Sequence, residues 1–167
     1  GPPLEVTFGH YFEQSDEVNH AIKTFRDYYG EKGVHQVYLY TGIAEALQEL
    51  NDLNYSLFVT TSKHQPMANL MLTELGIISH FKKVYGSTPE YFHKADVIKA
   101  CLTEQGIQAH EAVIIGDTKF DMIGGQKTGV RRLGVTWGFG SLESLQEHGA
   151  ESICHHPYDI KKALSSL

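Results

Sequence analysis

From residue 57 to its end, the chain alternates short apolar segments with amphipathic stretches, and this alternation constrains the fold more than any other feature. The apolar segments lie at residues 57–59, 84–85, 112–115, 133–136 and 152–153. The stretches between them have helical spacing and cover roughly residues 66–75, 94–104, 119–128, 142–148 and 159–164. Near-continuous apolar strands separated by helices predict an α/β fold in which helices cover both faces of a parallel sheet.

The composition is that of a globular protein with an acidic balance. The 167 residues are 41% hydrophobic and carry a formal net charge of −6, and basic residues cluster only in pairs such as Lys82-Lys83. Nucleic-acid and anionic-membrane surfaces normally need a concentrated basic patch, so we expect neither partner. No apolar run approaches the length of a transmembrane helix, and Cys101 and Cys154 have no ligand-like spacing. These features predict a cytoplasmic protein with free thiols.

Hydroxyl side chains follow the first predicted strand of this alternation, in the segment Thr60-Thr61-Ser62. Hydroxyls and free N–H groups at the start of a helix suit a phosphate, because the helix N-terminus carries a favourable dipole. The alternative is that Thr61 or Ser62 only caps the helix that follows. The local sequence leaves both interpretations open.

Lys94 opens the helical pattern of residues 94–104. A lysine in the first turn of a helix is electrostatically misplaced, because that end already carries partial positive charge. A nearby anion would explain the placement. A solvated surface lysine explains it as well.

Two carboxylates follow the most apolar strand, since Asp117 comes directly after Gly116 and Asp121 comes four residues later. If the turn winds directly into a helix, both side chains project toward one place and repel unless a cation lies beside them. Such oxygens suit Mg²⁺, which usually takes one or two carboxylates together with water and substrate phosphate. The alternative is that Asp117 caps the helix and Asp121 is solvated.

Two aromatic residues, Trp137 and Phe139, follow the strand predicted at residues 133–136 and therefore come near the same edge of the sheet. They either form a wall of the site or pack in the core and loops. The ten histidines form no cluster typical of a metal site.

Taken in this order, these residues resemble the later motifs of the haloacid dehalogenase superfamily of phosphatases, most closely its phosphoglycolate phosphatase-like and 5′-nucleotidase-like branch. The resemblance spans nearly the whole chain, from Gly1-Pro2-Pro3 to Gly138-Phe139-Gly140. It implies a three-layer Rossmann-like parallel sheet with the remnant of a helical cap domain. Residues 1–37 then correspond to part of the cap, which in the family closes over the active site, and residues 38–167 to the α/β core.

Each candidate residue matches a motif of this family. Thr61 matches the second-motif hydroxyl that binds the transferring phosphoryl group, with Ser62 beside it, and Lys94 matches the third-motif lysine that balances charge. Asp117 matches the fourth-motif carboxylate that holds Mg²⁺, with Asp121 as its supporting acid. The resemblance thus implies that the catalytic residues are Thr61, Lys94 and Asp117, the phosphate-binding residues Thr61, Ser62 and Lys94, and the metal ligands Asp117 and Asp121.

The first motif of the family has no counterpart in this sequence. In the family, a strand ending in Asp-x-Asp-Gly-Thr supplies the nucleophile and the general acid/base. That strand lies at the centre of the sheet, between the strands that here end near Thr60 and Ile115. Without it, those two strands leave backbone groups and apolar surface unpaired. We expect that the chain is a portion of a longer protein, or that another chain supplies the strand.

The resemblance implies a Mg²⁺-dependent phosphatase that hydrolyses small phosphorylated metabolites through an aspartyl-phosphate. Phosphoglycolate-like and nucleoside monophosphate substrates both stay open, because the cap selects between them. The competing interpretation is a non-catalytic phosphate-binding or regulatory protein. A receiver-like or nucleotide-binding module is a weaker alternative, because neither a phospho-acceptor Asp nor a glycine-rich loop follows an early strand. The chain as written is predicted to lack phosphatase turnover, and its sequence does not fix an oligomeric state.

Overall fold

The computed structural model describes residues 37–167 together with Lys23, so the predicted cap segment, residues 1–37, lies almost entirely outside the described residues. Within the described range, strands and helices alternate as predicted. The strands are β1 (Phe58–His64), β2 (Lys83–Ser87), β3 (Val113–Gly116), β4 (Arg131–Val135) and β5 (Ser152–Cys154). The α-helices are α1 (Ile43–Asp52), α2 (Gln65–Glu74), α3 (Lys94–Gln105), α4 (Lys119–Thr128), α5 (Leu142–Glu147) and α6 (Ile160–Leu164). None of the described helices has the length and apolar character needed to cross a bilayer.

The strands form two parallel sheets. β1 pairs with β2 in one sheet, and β4 lies between β3 and β5 in the other. In the part of the chain that the structure describes, no ladder joins β1 to β3. The result is a pair of half-sheets, and the edges of β1 and β3 that face each other lack a hydrogen-bonded neighbour within the described residues.

Helices cover both faces of these half-sheets. On one face, Leu50 of α1 packs with Leu133 of β4, and α2 packs against Val84 of β2. On the opposite face, Val97 of α3 packs against Tyr85 of β2. Val84 and Tyr85 are neighbours in one strand and therefore point to opposite helical layers. This arrangement confirms the predicted three-layer α/β fold with parallel strands.

The first strand is longer than the sequence predicted. β1 continues through Thr61 and Ser62 to His64, with a register shift against β2 after Thr60. α2 begins at Gln65, and its N-cap residue His64 makes no side-chain capping bond. The interpretation of Thr61 or Ser62 as a helix cap is therefore wrong. Both residues stand on the strand itself.

Candidate active site

Lys94 begins α3 and reaches the middle of β1. Its Nζ donates to the carbonyl oxygen of Thr60 at 2.7 Å and lies 2.9 Å from Oδ1 of Asp121. The side chain is only 14% exposed, so the interpretation as a surface lysine is wrong. An ammonium group has three N–H donors. Two of them have partners here, and the third has no partner in the described part of the chain.

Asp121 is the anion that the position of Lys94 requires. Its Oδ2 accepts from the backbone N–H of Thr118 at 3.0 Å and from Oγ1 of Thr118 at 3.1 Å, so Thr118 and not Asp117 caps α4. Burial raises the pKa of Asp121, but the charge of Lys94 and the hydrogen bonds from Lys94 and Thr118 outweigh it and leave the pKa below its usual value. A Cβ on Gly116 would overlap this carboxylate. Asp121 is therefore a buried, ionised group with both oxygens engaged, and the solvated interpretation is wrong.

Asp117 has different partners from Asp121. Its Oδ2 accepts from the backbone N–H of Phe139 at 2.9 Å, and its carbonyl oxygen accepts from Gly140. Thr118 is extended (φ −129°, ψ 163°), so the chain does not wind directly from Asp117 into the helix, and the premise of the i,i+4 argument is wrong. Within the described residues, Oδ1 of Asp117 has no hydrogen bond. That free oxygen suits a hard cation, while the joint role of Asp117 and Asp121 as metal ligands stays a prediction.

Thr61 directly follows the residue whose carbonyl holds Lys94. Its Oγ1 accepts from the backbone N–H of Lys63 at 3.1 Å, which leaves the hydroxyl proton available to another acceptor. Thr61 and Ser62 are both half-buried. Their roles as phosphate ligands stay predictions, and they follow directly on Thr60, the residue of β1 that Lys94 contacts.

Two further glycines make room for the charged side chains, a role that sequence reasoning missed. A Cβ on Gly138 would overlap Oδ2 of Asp117, and a Cβ on Gly124 would lie 2.7 Å from Cγ of Lys94. Gly124 lies inside α4, where glycine weakens a helix relative to alanine. A glycine within a helical pattern usually has a packing reason, and that was the available signal.

A cavity of about 800 Å³ separates β1 from β3, and its polar end is bordered by Thr60 and Asp117. Trp137 and Phe139 also line it. Trp137 packs against the core, whereas Phe139 is 93% exposed, so the two aromatic residues divide between the two predicted roles. Among the described residues, no group of three or more His, Cys, Asp or Glu side chains could hold a metal ion without other ligands.

Comparison with known proteins agrees with the resemblance predicted from the motifs. The model of the haloacid dehalogenase-like hydrolase family matches residues 1–135. A 5′-nucleotidase of Pseudomonas aeruginosa is 30% identical over 99% of this chain and 76% of its own length. A phosphoglycolate phosphatase of Vibrio vulnificus is 27% identical over 93% of this chain and 66% of its own length.

A solved structure supports the same relation. A haloacid dehalogenase-like hydrolase from Streptococcus pneumoniae is 38% identical, with a TM-score of 0.89 over 98% of this chain and 77% of that one. The predicted resemblance is confirmed by a family match that covers most of the sequence. This chain belongs to the haloacid dehalogenase-like hydrolase family.

Proposed function

We propose that this chain is the phosphate-binding and metal-binding part of a Mg²⁺-dependent phosphatase for small phosphorylated metabolites. One observation carries the proposal, namely that the buried ammonium group of Lys94 is fixed between Thr60 and Asp121 with one N–H left over. A charge-assisted hydrogen bond from such a preorganised donor is suited to a phosphoryl oxygen. Binding phosphate there would use a donor that the protein already holds in place.

Each neighbouring residue has a distinct part in this proposal. Thr61 donates its hydroxyl proton to a second phosphoryl oxygen, and Ser62 stands beside it. Asp121 positions Lys94 and, through the capping bonds from Thr118, keeps the start of α4 fixed. Asp117 offers its free Oδ1 to the metal while the N–H of Phe139 holds Oδ2. The predicted contribution of Asp121 to the metal site belongs to the proposal as well.

The residues present fit a magnesium ion that completes its shell with water and phosphate. Mg²⁺ commonly takes only one or two protein carboxylates, and Asp117 supplies one open oxygen. When bound, the ion would neutralise charge on the phosphoryl oxygens. Thr61, Ser62 and Lys94 would then orient the phosphate. Their positions are set before the phosphate binds, so little reorganisation would be needed during the reaction.

The nucleophile is proposed to come from an Asp-x-Asp segment that is not part of this chain. At this edge of the described structure, the carboxylates of Asp117 and Asp121 already accept bonds from other groups of the chain. Both oxygens of Asp121 are engaged, and in this proposal the free Oδ1 of Asp117 binds the metal, so neither carboxylate is assigned as the nucleophile. We therefore expect the chain as written to bind phosphate and Mg²⁺ without turning over a phosphate ester.

Two substrate classes stay within the proposal. The match to a phosphoglycolate phosphatase supports a small acidic phosphate ester. The match to a 5′-nucleotidase, which spans nearly all of this chain, supports a nucleoside monophosphate. We also propose a cytoplasmic location, because the buried thiols of Cys101 and Cys154 form no disulfide bond in the described residues.

The test is Mg²⁺-dependent release of phosphate from p-nitrophenyl phosphate. We expect no turnover from this chain, and turnover from a longer version that begins with the encoded upstream sequence. Asp117→Asn in the longer version should remove that turnover, whereas Glu143→Gln at an exposed carboxylate should leave it unchanged. Clear activity of the present chain that Asp117→Ala abolishes would show that no outside nucleophile is needed. Phosphate binding without turnover in the longer version would favour the non-catalytic alternative.

A further inference from the structure

The segment Gly138-Phe139-Gly140 is bound to Asp117 through its backbone. The N–H of Phe139 donates to Oδ2 of Asp117 at 2.9 Å, and the N–H of Gly140 donates to the carbonyl oxygen of Asp117 at 3.0 Å. Two bonds to one residue fix the segment relative to the free Oδ1 of Asp117, to which we assign the metal. A ligand held at that oxygen therefore lies close to Phe139.

The glycines on both sides of Phe139 leave no room for other side chains. A Cβ on Gly138 would overlap Oδ2 of Asp117, and a Cβ on Gly140 would overlap the carbonyl oxygen of Asp117. Neither position accepts a side chain unless Asp117 moves. The segment therefore stays in close contact with Asp117 and presents one large side chain, that of Phe139.

The ring of Phe139 is exposed although it is apolar. It is 93% exposed, whereas the nearby aromatic residue Trp137 packs against the core. Phe139 and Asp117 both border the cavity. Single exposed apolar residues are common on protein surfaces, but this one is held beside a candidate metal ligand. A flat apolar surface beside polar ligand groups is typical of a small-molecule site.

The other candidate groups of the site are suited to phosphate alone. Lys94, Thr61 and Ser62 offer N–H and O–H donors, and Asp117 offers a carboxylate oxygen to the metal. The side chain of Phe139 carries no charge and forms no hydrogen bond. It is therefore suited to the alcohol part of a phosphate ester, provided that this part is flat and apolar.

A small acidic ester would instead need a cation beside the phosphate. Lys119, two residues after Asp117, is an exposed cation near this place, but its ammonium group lies over the ring of Phe120 at 5.4 Å. The long side chain of an exposed lysine is free to move, whereas the backbone of Phe139 is fixed by its bond to Asp117. The more rigidly placed group is thus the apolar one.

We propose that Phe139 selects nucleoside monophosphates over small acidic phosphate esters by stacking its ring on the base. The proposal rests on the proposed phosphate site, because the phosphate has to be held at Lys94 and Asp117 for the base to reach the ring. Stacking of a base on an aromatic side chain raises affinity by about tenfold. Part of the substrate selection would then lie in the α/β core.

Two ligands that differ by the base alone test the proposal, namely adenosine 5′-monophosphate and ribose 5-phosphate. Titration calorimetry of the chain with Mg²⁺ present should give about tenfold tighter binding of the nucleotide. Phe139→Ala should remove this difference, and Phe139→Tyr should keep it. In the longer version with the upstream sequence, Phe139→Ala should lower the ratio of kcat/KM for the nucleotide to that for ribose 5-phosphate by about tenfold, mainly through KM.

Tyr55→Ala is the matched control. Tyr55 is 48% exposed and precedes β1, at the opposite end of that strand from Thr61 and Ser62, so this change should leave the preference for the nucleotide as in the parent. Far-ultraviolet circular dichroism confirms that the variants fold.

Equal affinity of the parent for the two ligands would overturn the stacking proposal and leave the phosphate site intact. So would a preference that Phe139→Ala keeps, because another group would then hold the base. Tighter binding of 2-phosphoglycolate than of the nucleotide would also overturn it. Binding of none of these ligands would overturn the phosphate site, and the stacking proposal with it.

Discussion

The two ends of α3 carry the same electrostatic mismatch in different surroundings. Lys94 lies in its first turn and Glu104 in its last, so each charge opposes the helix dipole. Lys94 is 14% exposed and is held by Asp121, which is 11% exposed. Glu104 is 51% exposed and pairs with Lys83, which is 47% exposed, while the hydroxyl of Tyr85 donates to it at 3.0 Å.

The difference shows what burial adds to a charged pair. At the exposed end, water screens the mismatch and each long side chain can leave its partner at little cost. At the buried end, neither charge can be released into water, so both stay in one geometry. Only the buried pair of Lys94 and Asp121 holds a charge in a fixed position, as binding a ligand requires. This pair lies at the candidate site.

The largest effect should come from breaking the buried pair. Asp121→Asn leaves the ammonium group of Lys94 buried without its counter-ion and should lower the free energy of unfolding by about 3 kcal/mol. Urea denaturation followed by circular dichroism measures it. Glu104→Gln, the matched change at the exposed end, should not measurably shift the urea midpoint. Similar shifts for the two variants would contradict the contrast between the ends.

The free energy of unfolding should also depend on pH, because the stabilisation by Asp121 requires its ionised carboxylate. This effect should be smaller than that of Asp121→Asn. The pKa of Asp121 is lowered in the folded protein, so the stability it provides is fully present above its unfolded value of 3.8. That stability is lost as the pH falls through the lowered folded pKa. The difference in free energy of unfolding between the parent and Asp121→Asn should stay constant from neutral pH down to about pH 5 and shrink below pH 3.8. A difference that instead shrinks between pH 5 and 7 would count against this assignment.

The smallest effect on stability should come from two glycines near the ends of α3. Gly124→Ala pushes on Cγ of Lys94, an overpacking cost of about 1 to 3 kcal/mol that helix propensity offsets by about 1 kcal/mol. Gly106→Ala at the C-cap has open space but a left-handed φ of 65°, which costs about 1 kcal/mol.

The two glycine variants should differ in phosphate affinity, although they lower the free energy of unfolding by similar amounts. Titration calorimetry with inorganic phosphate should show weaker binding for Gly124→Ala, because that change displaces Lys94, which we propose binds phosphate. Gly106→Ala should keep the affinity of the parent. An equal loss of phosphate affinity in both variants would mean that the site responds to general destabilisation.

Much of the fold could be predicted because it follows from local pattern. The predicted bounds of α4, residues 119–128, match the structure, because the capping sequence and Gly129 mark both ends. The dipole argument at Lys94 also pointed correctly to a nearby anion. It could not name Asp121, because that contact joins two helices that are separated in the sequence.

The remaining errors have one local and one tertiary cause. The sequence suggested that Asp117 and Asp121 share one helical face, but Thr118 adopts an extended cap conformation that separates their partners. β1 runs on to His64, because pairing with Ser87 of β2 holds the extra residues extended. The bonds between Thr118 and Asp121 are local, so the extended cap could have been predicted, whereas the pairing of His64 with Ser87 is not encoded in the residues next to β1.

The carboxylate of Asp121 binds both Thr118, at the start of α4, and Lys94, at the start of α3. Movement of the start of α4 therefore also affects Lys94. The amide of Thr118 donates to Oδ2 of Asp121, so exchange of that amide with solvent requires the carboxylate to turn away. The same turn removes the counter-ion of Lys94. When the first turn of α4 frays, Lys94 therefore loses the contact that fixes the position of its charge. The rate at which the amide hydrogen of Thr118 exchanges therefore sets a limit on how often the ion pair between Lys94 and Asp121 opens.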